Sequence, residues 1–96
     1  MSLTESIQQT QEILSRQQFL DTEVLPTQAE RDARREALYY GMVLGNNYKR
    51  KVRIAFLTYE GRVDIESQIW AITESKISLK GGATIPIGCI KSVTTL

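Results

Sequence analysis

The stretch Lys51-Val52-Arg53-Ile54-Ala55-Phe56-Leu57 decides how the rest of the chain is read. Val52, Ile54 and Phe56 recur at every second residue, and Lys51, Arg53, Ala55 and Leu57 occupy the other parity. That period places the first set on one face of a β-strand and the second on the other. Glu60-Gly61 then supplies a turn. Val63 and Ile65 alternate with Arg62, Asp64 and Glu66, so a second strand returns with its charges outward. At Ile69-Trp70-Ala71-Ile72 both parities are apolar. This second strand is therefore expected to be long and to change its buried face around Ser67-Gln68, as a bulge or sharp coil allows.

Turn chemistry parses the remainder. Thr73-Glu74-Ser75 turns the chain. Ile77 and Leu79 alternate with Ser78 and Lys80, and Gly81-Gly82 is a hairpin signal. Pro86 within Ile85-Pro86-Ile87 confines that short strand to an edge or an end. After a tight turn at Gly88-Cys89, Ile90 and Val93 anchor a last strand near Leu96. Five short, bent antiparallel strands from about residue 48 to 96 are expected to form a small barrel.

Upstream the period is helical. Ser2-x-x-Glu5 and Thr27-x-x-Glu30 both have the form of a capping box. One helix is expected over 2–24, with a thin stripe of Leu3, Ile7 and Leu14 turned to a partner. Leu25-Pro26 breaks it. A second helix is expected from Thr27 to Leu44, ended by Gly45-Asn46-Asn47. Its stripe of Ala33, Ala37, Tyr40 and Leu44 would cover one open end of the barrel. The fold class is thus α+β, with two N-terminal helices and a five-stranded, strongly bent barrel. Residues 1–25 form a helical arm and 26–96 a helix-capped domain.

The run Lys51-Val52-Arg53-Ile54, the Glu60-Gly61 turn, and Ile77-Ser78-Leu79-Lys80-Gly81-Gly82-Ala83-Thr84-Ile85-Pro86-Ile87 with Ile90 and Val93 resemble Sm-like and YolD-like small barrels, which are SH3-like. The resemblance covers about residues 36–94. It implies a helix before five bent strands, ring-like self-assembly and RNA binding. The Asp/Asn-bearing loop with which Sm-like proteins hold bases is missing. The whole chain also resembles short bacterial proteins of Bacteroidetes type.

Composition narrows the chemistry. The 96-residue chain has no histidine and one cysteine, which removes the commonest general base and the usual zinc ligand sets. No disulfide can close within one chain, no apolar run approaches the roughly 20 residues of a membrane span, and no secretory leader is visible at Met1. The expectation is a cytoplasmic protein with no cofactor and no membrane partner. The net charge of +1 conceals a net of −4 over 1–30, +5 over 31–53 and zero over 54–96.

Within the basic stretch, Lys49, Arg50, Lys51 and Arg53 could neutralise phosphates while Tyr48 and Tyr59 stack on bases. The other reading is a charged edge that discourages aggregation. Arg31, Arg34 and Arg35 extend that patch or are neutralised on a helix surface by Glu30, Asp32 and Glu36. Cys89 reads as a small buried hydrophobe, since a nucleophilic thiolate would need an activating neighbour. Asp64 and Glu66 share a strand face, as a carboxylate pair or simply as its solvated side. Trp70 reads as core, and exposed beside Tyr39 or Tyr40 it would mark a binding surface. The leading functional expectation is a non-enzymatic binding and assembly module, a homo-oligomer or one with a protein partner. Nucleic-acid binding by the basic stretch is the alternative.

Overall fold

The computed structural model describes residues 18–96, and Leu3, Ile7 and Leu14 lie outside them. Helix α1 runs Gln28–Tyr48. Thr27 caps it from an extended conformation, its hydroxyl oxygen accepting from the Glu30 amide at 3.2 Å and donating to the Glu30 carboxylate at 2.8 Å. The first contact satisfies an amide that the first helical turn would leave unpaired, and the second fixes the capping hydroxyl in place. The helix does not stop at Gly45-Asn46-Asn47 but runs to Tyr48. Lys49 closes it in the left-handed region at φ 54°, its amide and that of Arg50 donating to the carbonyls of Gly45 and Leu44.

Gly45 is unavailable as a terminator because packing uses it. The buried stripe of α1 is Arg34, Leu38, Gly41 and Gly45, not Ala33, Ala37, Tyr40 and Leu44. A Cβ at Gly45 would stand 2.7 Å from the Ile69 carbonyl oxygen, and one at Gly41 would stand 3.2 Å from Ile69 Cδ1. Two residues without side chains let the helix backbone settle directly on the sheet. A search for apolar periodicity passes over glycine, so the sequence stripe is rotated by about one residue.

Six strands follow: β1 Val52–Thr58, β2 Gly61–Ser67, β3 Ile69–Ile72, β4 Lys76–Leu79, β5 Thr84–Pro86 and β6 Ile90–Thr95. A 3₁₀ turn, Ile87–Cys89, joins the last two. All pairs are antiparallel, in two three-stranded sheets ordered β2-β1-β6 and β3-β4-β5. The expected five-stranded barrel is corrected here, because no ladder closes the two sheets on each other. The expected long second strand breaks at Gln68, the residue where the chain leaves one sheet and enters the other. Gln68 contributes its carbonyl to the Lys80 amide at 3.0 Å rather than to a continuous ladder. On the opposite side the 3₁₀ turn stands between β5 and β6. Gly81 and Gly82 take φ of 96° and 94° in the β4–β5 turn, conformations that L side chains disfavour.

Between the sheets and α1 lies one core. Leu38, Val52, Ile54, Phe56, Ile69, Ile77, Ile85, Cys89 and Ile90 are each fully buried. Burial of each large aliphatic or aromatic side chain contributes about 1.5–3 kcal/mol.

Residues 18–24, expected to end the first helix, are instead an extended strap. Phe19 bridges Thr58, and its ring packs on that of Phe56 with centroids 5.5 Å apart. Leu20 donates to the Leu57 carbonyl, Tyr59 to that of Gln18, and Val24 to that of Gly88. The strap continues the β6 side of β1 past the point where β6 begins, satisfying main-chain groups that would otherwise be an open edge. Good helix formers yield there to the burial of Phe19 and these ladder bonds, a tertiary effect that propensity does not contain.

Candidate functional site

Arg34 joins the strap, α1 and β6. It is 7% exposed and makes a bidentate ion pair with Glu23, Nη2 to Oε1 at 2.6 Å and Nη1 to Oε2 at 2.7 Å. Nη1 also donates to the Ile90 carbonyl at 3.0 Å. The Leu25 amide donates to Glu23 Oε2, and Arg31 holds the Leu25 carbonyl. The Arg34 guanidinium beside it, with the Leu25 amide, holds the Glu23 carboxyl below its ordinary range against the opposing effect of burial. Arg34 is thus neither part of a basic patch nor neutralised by Glu30, Asp32 or Glu36. Its partner lies 11 residues earlier, in the strap. The sequence offered no local signal for this, since the favourable helical spacing pointed to Glu30. The groove of about 440 Å³ between strap, α1 and the β3–β4 turn sets Arg31, Arg34 and Arg35 against Asp21, Glu23, Asp32 and Glu74, so its charges nearly cancel.

Members of the basic stretch also have partners within the chain. Arg53 pairs with Glu66 across β1 and β2 at 2.9 Å. Arg50 donates to the Leu96 main-chain oxygen at 2.8 Å. Lys49 caps α1 and is exposed. Tyr48 precedes β1 and Tyr59 follows it, so a strand of roughly 20 Å separates the two rings. The Tyr59 hydroxyl instead donates to Asp21 at 3.1 Å, which raises its pKa. Lys49, Arg50, Lys51 and the half-exposed Arg53 follow Tyr48 closely in the chain, with Arg53 held by Glu66, whereas Tyr59 lies at the far end of β1.

Asp64 and Glu66 share the outward face of β2, each engaged by an arginine: Arg62 with Asp64 at 2.9 Å, and Arg53 with Glu66. Cys89 is fully buried, its Sγ donating to the Pro86 carbonyl at 3.1 Å. Burial pushes its thiol up to about 11, so the packed thiol stays protonated at neutral pH.

Trp70 departs from the core reading. The β3–β4 ladder pairs Ile69 with Leu79 and Ala71 with Ser78, leaving Trp70 as the unpaired residue of a bulge. A bulge re-aims its extra residue, and Trp70 is 46% exposed. On α1, Tyr39 is 44%, Tyr40 58% and Val43 44% exposed. Asn46, three residues beyond Val43, donates Nδ2 to the Trp70 carbonyl at 3.2 Å, which ties β3 to this side of the helix. Tyr48 is exposed at the helix end, and the Arg35 guanidinium lies 5.6 Å over the Tyr39 ring at the other border. No Asp, Glu, Lys or Arg occurs from Leu38 to Tyr48, nor from Ser67 to Thr73.

No family model, curated protein or solved structure matches the chain. The resemblance to Sm-like and YolD-like barrels therefore rests on strand rhythm and glycine placement alone. Among the described residues no helix is long and apolar enough to cross a membrane.

Proposed function

We propose that this chain is a non-enzymatic binding and assembly module that self-associates through the outward face of α1 and the adjoining bulge of β3. The observation that carries the reading is a set of exposed aromatic and apolar side chains, Tyr39, Tyr40, Val43 and Trp70, on two segments without a single charge. Monomeric surfaces scatter such residues among charged ones, whereas interface centres are depleted of charge and enriched in Tyr and Trp. A second copy is the occupant that the charge pattern favours. Apart from Arg35 at its Tyr39 border, the face carries no charge from Leu38 onward, so its centre can meet its own image across a two-fold axis without like-charge repulsion.

The test is the molar mass of the purified full-length chain by light scattering over a concentration series, with the 260/280 nm absorbance ratio read on the same peak. A mass that rises with concentration, falls with Tyr40→Glu, and carries no excess absorbance at 260 nm is the expected result. A constant monomer mass would remove the proposal. Co-purifying nucleic acid, lost when Lys49, Arg50 and Lys51 are replaced by alanine and weakened steeply by salt, would favour the nucleic-acid reading instead.

A further inference from the structure

The two sheets have four outer strands, and three of them are blunted. β5 has three residues and ends in Pro86. β3 lies against α1, with Asn46 on its Trp70 carbonyl. β6 packs on α1, and Arg34 occupies its Ile90 carbonyl. β2 is different. It is seven residues long, its one ladder partner is β1, and among the described residues nothing hydrogen-bonds to its outer main chain. An open edge of that length is a template for another strand.

The side chains along it select the occupant. Arg62, Asp64 and Glu66 lie on the solvent face, Val63 and Ile65 on the core face. We propose that β2 is a second self-association edge, on which two copies pair β2 to β2, antiparallel, about a two-fold axis through Val63. In that register Arg62 stands opposite Asp64 of the second copy, and Asp64 opposite Arg62. Each arginine is already held by its own Asp64 at 2.9 Å, so four charges alternate in sign around one square. Val63 meets Val63 on the core face.

Neighbouring registers are worse. A slip of one residue sets the core face of one sheet against the solvent face of the other. Centring on Asp64 sets Arg62 opposite Glu66 on either side but brings the two Asp64 carboxylates face to face at the axis, within the ladder, and centring on Ile65 opposes Asp64 to Glu66 with no opposite-charge pair in the strand. The Val63 register does bring Glu66 opposite the turn residue Glu60, outside the strand, where Arg53 already engages Glu66. The product is one six-stranded sheet, β6-β1-β2 continued by its two-fold image. This edge belongs to the other sheet from Trp70 and carries its own observation, so the two stand or fall separately.

The experiment uses the full-length chain carrying Tyr40→Glu, which silences the aromatic face, with mass measured by sedimentation equilibrium and folding by circular dichroism. The expected result is a monomer–dimer equilibrium in that background. Arg62→Asp raises the dissociation constant by roughly tenfold or more, since it turns two attractive pairs into two repulsive ones. The swap Arg62→Asp with Asp64→Arg restores the alternation and the dimer, and raising the salt weakens it. A strictly monomeric Tyr40→Glu background overturns the proposal, as does an Arg62→Asp chain that dimerises unchanged or a swap that fails to restore the dimer. If Tyr40→Glu associates like the parent chain while Arg62→Asp abolishes association, the aromatic face fails and the β2 edge survives.

Discussion

The inward and outward faces of α1 carry the opposite of what helix amphipathicity leads one to expect. Inward lie a guanidinium, one leucine and two glycines: Arg34, Leu38, Gly41 and Gly45. Outward lie two tyrosines and a valine, each more than two-fifths exposed. The inward face is held by closeness of approach, because the glycines let the backbone rest on Ile69, and by one buried ion pair. The outward face carries Tyr39, Tyr40 and Val43, each exposed among the described residues. A helix that spends small residues on its core and large ones on solvent is arranged for contacts on both sides.

Substitutions on the two faces should therefore differ most where the inward face is occupied by bulk. Leu38→Ala removes a fully buried side chain and should cost about 2–5 kcal/mol in chemical denaturation. Glu23→Gln comes next, at roughly 2 kcal/mol. It leaves the Arg34 charge buried without its carboxylate, and the cost falls short of the roughly 3–5 kcal/mol of a fully buried pair because Glu23 reaches solvent. The same pair sets a pH dependence. Glu23 has a folded pKa below its ordinary 4.5. Its contribution is complete above that value and is lost as the pH falls through the lowered one. A thermal melt followed from neutral pH to below 4.5 should show this acid loss in the parent chain and a shallower one in Glu23→Gln.

The two glycines separate contact from propensity. Alanine at either gains about 1 kcal/mol of helix propensity. At Gly45 the added Cβ meets a main-chain oxygen at 2.7 Å, so a net loss of about 1–2 kcal/mol is expected. At Gly41 it meets side-chain tips rather than main chain, Ile69 Cδ1 at 3.2 Å and Val52 Cγ1 at 3.3 Å, so the loss should be smaller than at Gly45. Smallest of all is Tyr40→Ala, expected to leave monomer stability within about 0.5 kcal/mol while weakening association. A large loss of stability there would mean that the outward face belongs to the chain's own core.

The strands were legible because their information is local. Alternation in Val52–Phe56, the glycines at the turns, Pro86 at the end of β5 and the change of face at Ser67-Gln68 each involve residues a few positions apart. Closure of the sheet is not local. It depends on whether the ladder continues through Gln68, and it does not. The strap could not be read either, since the pull of Arg34 on Glu23 and of Phe56 on Phe19 exists only once the sheet is built. Of the candidate residues, Lys49, Arg50 and Lys51 stay near Tyr48, whereas Arg53 and Tyr59 serve other partners. Trp70 was legible only as an alternative: four successive apolar residues read as burial on both faces, and the bulge that turns the indole outward depends on the register with β4.

Trp70 is the chain's single tryptophan, so the fluorescence reports on the β3 bulge alone, which the proposed interface includes. The direct measurement is its emission maximum across a dilution series, paired with molar mass at each concentration. The expected result is a half-exposed indole in the dilute monomer, a shift to shorter wavelength in step with rising mass, and no shift in Tyr40→Glu. An emission maximum that stays constant while the mass rises would contradict it, because the copies would then be meeting somewhere other than this face.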